Sequence, residues 1–182
     1  MTITLPFVLA GNTPSLTLCY QMGIRSCWRF PYEEARHFRP VMSGGVAQLR
    51  NFTVGAKELI VVDPYFVKPR RGMDTERHVR LIADTTDLHS GHLNRLSVVN
   101  SWWHHDSDVV FALSAECARY GCELGYKQTN DIHDRVLAKD KKEALAVGTS
   151  LNSVGSRLAF ALRLPHEDLE YLLELLHRRN LV

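Results

Sequence analysis

The pattern of apolar and polar positions divides the 182-residue chain into a succession of short strands and helices. Residues 58–66 form one continuous apolar run closed by Asp63-Pro64, as expected of a strand buried on both faces in a helix-covered sheet. Further along, 135–138 and 144–147 are two apolar runs separated by the polar stretch Asp140-Lys141-Lys142-Glu143, which predicts a β-hairpin. Strands are also predicted over 16–21, 78–84, 122–128 and 157–164, with a turn region at 23–29. A helix is predicted over 32–51, broken at Pro40 and at Ser43-Gly44-Gly45; its second part, 46–54, sets Val46, Leu49 and Phe52 against the sheet. Val109, Ala112, Leu113 and Cys117 recur at helical spacing across 108–121, with Asp106 or Ser107 as the cap and Gly121 as the stop. Pro165 opens a last helix through Arg178, with Leu169, Leu172, Leu173 and Leu176 as its apolar stripe. The stretch 88–107 has no readable period, and Trp102 or Trp103 is expected to pack inward from it. Strands and helices therefore alternate through most of the chain, which predicts an α/β sandwich with a mixed sheet flanked by helices.

Composition narrows this only slightly. A chain of 182 residues suits one domain, 1–182, with a substantial core. No segment approaches the roughly 18 apolar residues of a membrane span, and the run around 5–10 lacks a positive flank and contains Pro6, so neither a transmembrane segment nor a signal peptide is expected. The formal charge of +2 with nine histidines neither demands nor excludes nucleic acid. Cys19, Cys27, Cys117 and Cys122 form no CxxC pair and read as buried free thiols, consistent with a cytoplasmic location.

The candidate chemistry lies around the hairpin. Side chains two apart on a strand share a face, so His133 and Arg135 point the same way, and the loop Gly148-Thr149-Ser150-Leu151-Asn152 returns near the same end. A histidine beside a guanidinium, with small hydrogen-bonding groups close by, makes a pocket suited to a phosphate. Asp63 and Tyr65, at the carboxyl end of the 58–66 run, are candidate rim residues, although Asp63-Pro64 also reads as a simple strand stop. The basic loop 68–72 is either a solvated connector or a groove for nucleic-acid phosphates. His89, His92, His104, His105, Asp106 and Asp108 match no metal-ligand spacing, and Trp102 and Trp103 are weak candidates for stacking bases.

His133, Arg135 and Asp140, followed by Gly148, Ser150 and Asn152, resemble the HxKxxxxD…GSxN signature of the phospholipase D superfamily. Arginine stands in place of the lysine, and one extra residue lies on each side of Gly148. The resemblance implies a metal-independent phosphodiesterase, a nuclease first among these, with no cofactor. It assigns His133 as nucleophile, Arg135 and Asn152 as phosphate ligands, Gly148, Thr149 and Ser150 as the substrate loop, and Asp140 as a structural residue. The carboxylate that many members place downstream to orient the histidine is absent from 153–160, which leaves Asp131 or Asp63 as candidates for that role. A single copy of the motif resembles the small members that complete their site as homodimers. The alternative is a non-catalytic module of the same fold that binds a phosphate-bearing ligand, either nucleic acid or a lipid headgroup, or a protein partner.

Overall fold

The computed structural model describes residues 16–19, 27–30, 45–154 and 161–182. The chain separates into two units, Met1–Phe38 and Arg39–Val182. Within the first, β1 (Leu16–Cys19) pairs antiparallel with β2 (Cys27–Phe30), in the register Leu16↔Phe30 to Cys19↔Cys27. Residues 27–29, expected in a turn, therefore belong to a strand. The first half of the helix predicted over 32–51 lies outside the described residues.

The second unit holds a six-stranded sheet in the order β5-β4-β3-β6-β7-β8. Its strands are β3 (Glu58–Val62), β4 (Arg95–Asn100), β5 (Glu123–Gln128), β6 (Val136–Lys139), β7 (Glu143–Val147) and β8 (Ala161–Arg163). β3, β4 and β5 run parallel, whereas β6 is antiparallel to β3, and β7 and β8 continue the antiparallel half. Of the predicted final strand, residues 157–160 lie outside the described residues.

Among the described residues, four helices accompany the sheet: α1 (Gly45–Thr53), α2 (Thr75–Thr86), α3 (Ser107–Arg119) and α4 (His166–Arg178). Leu49 and Phe52 of α1, Val79 and Ile82 of α2, and Val109, Leu113 and Cys117 of α3 join Leu59, Val61, Leu96, Val98, Leu137 and Leu145 in one core. Strand alternation sends Ile60, Val62, Val99 and Val136, also buried, to the opposite face. α4 buries Leu169, Leu172, Leu175 and Leu176 and packs against β7. Its stripe thus uses Leu175 where the sequence had suggested Leu173. α3 begins with the Asp106 carboxylate accepting from the Asp108 and Val109 N–H groups. It ends at Gly121, whose φ of 69° lets the Cys122 N–H reach the Cys117 carbonyl.

Two expectations fail here. Residues 78–84 are helix rather than strand, since Asp74 caps α2 by accepting from the Arg77 N–H. His78, Val79, Ile82 and Ala83 then share one buried face at helical spacing, and Asp87 closes the helix in the left-handed conformation. The second concerns 88–107, where no element was predicted and where β4 takes a place in the middle of the sheet, buried at every position after Arg95. The parallel order explains both: β3 can reach a parallel neighbour only through a crossover, and α2 supplies it.

Candidate active site

The carboxyl ends of β3, β4 and β5 share one edge of the sheet with the start of β6 and the end of β7, where the Val147 N–H donates to the Arg135 carbonyl at 2.9 Å. Asp63, the residue after β3, is fully buried there. Its Oδ1 accepts from Ser150 Oγ at 2.9 Å and from the Tyr65 N–H at 2.9 Å. Its Oδ2 accepts from Ser150 Oγ and from the Leu151 N–H, each at 2.7 Å. Burial pushes the Asp63 carboxyl above its ordinary range, opposed by the Tyr65 and Leu151 N–H donors, the Ser150 hydroxyl and the charge of Arg135. A buried carboxylate is tolerable only with such donors. Asp63 thus does more than stop a strand: it ties the 148–152 loop to the end of β3, across 87 residues of sequence.

The residues singled out by the motif fall into three groups. His133 lies in the irregular segment before β6, exposed, with no hydrogen bond, ion pair or ring contact among the described residues. Neither proposed orienting carboxylate reaches it: Asp63 is committed to the loop, and Asp131 pairs with Arg179. Arg135 is half-buried, its guanidinium carbon 5.7 Å from the Tyr65 ring centroid, and its Nε is buried without a hydrogen-bond partner. Ser150 and Asn152 face inward. The Asn152 amide donates to the Lys68 carbonyl at 2.8 Å, lies 3.5 Å from that of Tyr65, and accepts from Ser153 Oγ at 2.9 Å. Gly148 is exposed and Thr149 half-buried in the same loop.

Asp140 lies at the other end of the hairpin, where its Oδ1 accepts from the Lys57 and Glu58 N–H groups at 2.8 and 2.9 Å. Asp140 and Lys141, with φ of 52° and 56°, form the centre of a tight turn closed by the Lys142 N–H on the Lys139 carbonyl. It is remote from His133 and acts on the fold.

Several neighbours at the edge are not part of the motif. Tyr65 stacks on His104 with ring centroids 3.9 Å apart, and His104 Nδ1 lies 3.3 Å from Lys68 Nζ. Burial, then the Lys68 charge, lowers the His104 pKa. Asn100 joins the segments after β3 and β4: its amide donates to the Ser101 and His104 carbonyls at 2.8 and 3.3 Å and accepts from the Val67 N–H at 3.4 Å. Tyr65 had been marked by its place at a strand end, whereas Asn100 and His104 sat in the unreadable stretch. Trp102 and Trp103, one or other of which was expected to pack inward, are 62% and 80% exposed. Among the described residues, no group of three or more His, Cys, Asp or Glu is arranged to hold a metal ion, and no helix is long and apolar enough to cross a membrane.

No protein-family model matches the sequence, and no curated protein matches it. Solved structures do. NucT from Helicobacter pylori matches at 9% identity over 92% of this chain and 94% of its own, with a TM-score of 0.52. Nuc from Salmonella typhimurium, described as a phospholipase D family member, matches at 14% identity over 78% of this chain and 90% of its own, with a TM-score of 0.48. A mutant of the yeast tyrosyl-DNA phosphodiesterase aligns at 10% identity over 70% of this chain and 31% of its own, with a TM-score of 0.40. At such identities the likeness is one of fold. The described residues form an α/β fold with a mixed six-stranded sheet, and that fold is shared with NucT.

Proposed function

We propose that this protein is a metal-independent phosphodiesterase acting on nucleic acid, with His133 as nucleophile and a site completed by a second copy of the chain. The observation that carries the reading is the buried, unpaired Nε of Arg135 at the sheet edge, two residues from an exposed and unpartnered His133. A buried N–H without an acceptor costs about 1–3 kcal/mol, and a phosphate oxygen would supply the acceptor together with a charge for the guanidinium. In the reaction, a ring nitrogen of His133 attacks phosphorus and the bond to the leaving oxygen breaks. His133 of the second copy protonates that oxygen, then takes a proton from the water that cleaves the phosphorus–nitrogen bond and restores the first histidine. A twofold axis sets equivalent residues opposite one another, as this exchange of roles needs. Asp63, Ser150 and Asn152 act in this reading by holding the 148–152 loop against the segment 63–68.

A specific observation favours a second reading, a phosphate-binding module without turnover. The polar atoms of Ser150 and Asn152 are engaged by the protein itself, and no carboxylate among the described residues bonds to His133. One experiment separates the two. Wild type and His133→Ala are assayed in EDTA on a chromogenic diester and on DNA and RNA, with size-exclusion chromatography of both. The catalytic reading expects wild-type turnover to fall by at least about a thousandfold in a variant of unchanged oligomeric state. A folded wild-type dimer that binds phosphate-bearing ligands and cleaves none of them would leave the binding module.

A further inference from the structure

The turn that leaves β4 is pinned at both ends yet presents two indoles to solvent. Ser101 Oγ donates to Asn130 Oδ1 at 2.8 Å and accepts from the Trp103 N–H at 3.2 Å. Asn130 Oδ1 also accepts from the Trp102 N–H at 3.1 Å, and the His104 N–H donates to the Ser101 carbonyl at 3.2 Å. The turn is thereby fixed to the segments that follow both β4 and β5. Trp102 and Trp103 are nonetheless 62% and 80% exposed. An indole can bury 150–250 Å² (about that for any large aromatic side chain), so a rigid turn that holds two of them in water is suited to an incoming apolar or aromatic surface.

The position of the turn says which surface. It lies on the same sheet edge as His133 and Arg135, and the residue after the tryptophans, His104, stacks on Tyr65, whose ring faces the Arg135 guanidinium. The stacked His104 and Tyr65 rings thus link the segment carrying the indoles to the phosphate-seeking cation. The adjoining loop is basic, with Lys68, Arg70 and Arg71 all exposed. Of the nearby acidic groups, Asp106 is committed to capping α3 and Asp131 to Arg179, while exposed Asp108 and half-buried Asp134, between His133 and Arg135, remain and are outnumbered by Lys68, Arg70, Arg71 and Arg135. Flat aromatic faces beside cations complement a polymer in which flat bases alternate with phosphates. A duplex keeps its base faces stacked inside, and a surface turn two tryptophans wide reaches them only in an unpaired strand.

From this arrangement we infer that Trp102 and Trp103 form a base-stacking subsite that selects single-stranded nucleic acid and feeds its phosphate to the His133–Arg135 site. The inference rests on the phosphodiester reading for the use of the phosphate, but its stacking component is tested without turnover. Fluorescence anisotropy in EDTA would compare a labelled single-stranded oligonucleotide with the matching duplex, for wild type, the Trp102→Ala/Trp103→Ala double variant and the corresponding double Phe variant. Stacking is worth enough per base that each lost indole should cost on the order of tenfold in single-strand affinity. Duplex affinity should stay within about threefold, and phenylalanine should restore most of the loss. Equal losses on single strand and duplex, or none on either, would overturn the subsite. So would a double-alanine variant eluting as a smaller species than wild type, which would reassign the indoles to a contact between two copies. Turnover of the chromogenic diester by wild type reads the catalytic proposal separately: indole-dependent binding without diester cleavage retains the subsite and removes the catalysis, and the converse removes the subsite alone.

Discussion

Two loops leave the same edge of the sheet and are built from similar parts, but they face opposite ways. In the 148–152 loop, Ser150 and Asn152 turn inward and spend their polar atoms on Asp63 and on the Lys68 carbonyl. In the 101–104 turn, Ser101 and neighbouring Asn130 also tie down the backbone, yet the large side chains stand in solvent. Similar side chains serve as internal braces in both. The difference lies in what the bracing presents: the first loop offers its backbone and the adjacent Arg135, the second a pair of ring faces. A serine or asparagine at a strand end is therefore a poor guide to ligand contact until its hydrogen bonds are known. The groups left unsatisfied, here Arg135 Nε and the exposed His133, are better guides.

From this contrast, substitutions are expected to separate stability from chemistry. The largest effect on stability is expected for Asp63→Ala, which strands the buried Ser150, Leu151 and Tyr65 donors at once. A loss of about 3–5 kcal/mol is expected in urea unfolding, and a loss under about 1 kcal/mol would mean that the loop does not depend on this brace. Ser150→Ala removes one donor from the same carboxylate and should cost about 1–3 kcal/mol. At the remote end of the hairpin, Asp140→Ala gives up acceptors for two N–H groups and places a Cβ-bearing residue without a local hydrogen bond at φ 52°. About 1–2 kcal/mol is expected, and Asp140→Gly should recover part of it, because glycine tolerates that φ. If glycine proves no better than alanine, the hydrogen bonds rather than the backbone conformation set the cost. His133→Ala should change stability by less than about 0.5 kcal/mol, since no described group depends on it. A larger loss would place His133 among the braces.

How far the sequence disclosed this arrangement depended on whether the signal was local. The hairpin, α3 and α4 were legible because their periods, caps and turn residues lie within a few positions of one another. β3 was legible because a strand buried on both faces needs an unbroken apolar run. α2 reads as a strand because Val79 and the run Leu81-Ile82-Ala83 make a short apolar stretch interrupted only by Arg80, and its helical signals, the Asp74 cap and Asp87 in the left-handed conformation, lie outside that stretch. β4 was missed because Ser97 and Asn100, both buried in the structure, interrupt its apolar run among histidines. At the site, the motif marked His133 and Arg135, which are sequence neighbours. The use of Asp63 by Ser150 and Leu151 was not recoverable, because the partners are 87 and 88 residues apart and only the β3–β6–β7 order brings them together.

The smallest effect expected is a pH dependence that reads the support beneath the inward loop. His78, 1% exposed on α2, places its Nε2 2.8 Å from the Phe66 carbonyl while its Nδ1 is buried without a partner. It therefore holds the turn carrying Tyr65, whose N–H donates to Asp63 and whose ring faces Arg135. Burial lowers its pKa from the ordinary 6.5, outweighing the opposite pull of the Phe66 carbonyl and of Asp106. With the folded value below 6.5, the unfolded chain takes up the proton first as the pH falls, and stability rises with pH wherever the unfolded state binds more protons. The His78 contribution is therefore complete above 6.5 and is lost as the pH falls from there through the folded value. His78→Gln keeps a donor for the Phe66 carbonyl but cannot titrate. Urea midpoints measured just above and about one pH unit below the ordinary histidine value should fall more for wild type than for this variant. Parallel falls in the two proteins would assign the acid sensitivity to other groups and leave His78 as packing alone.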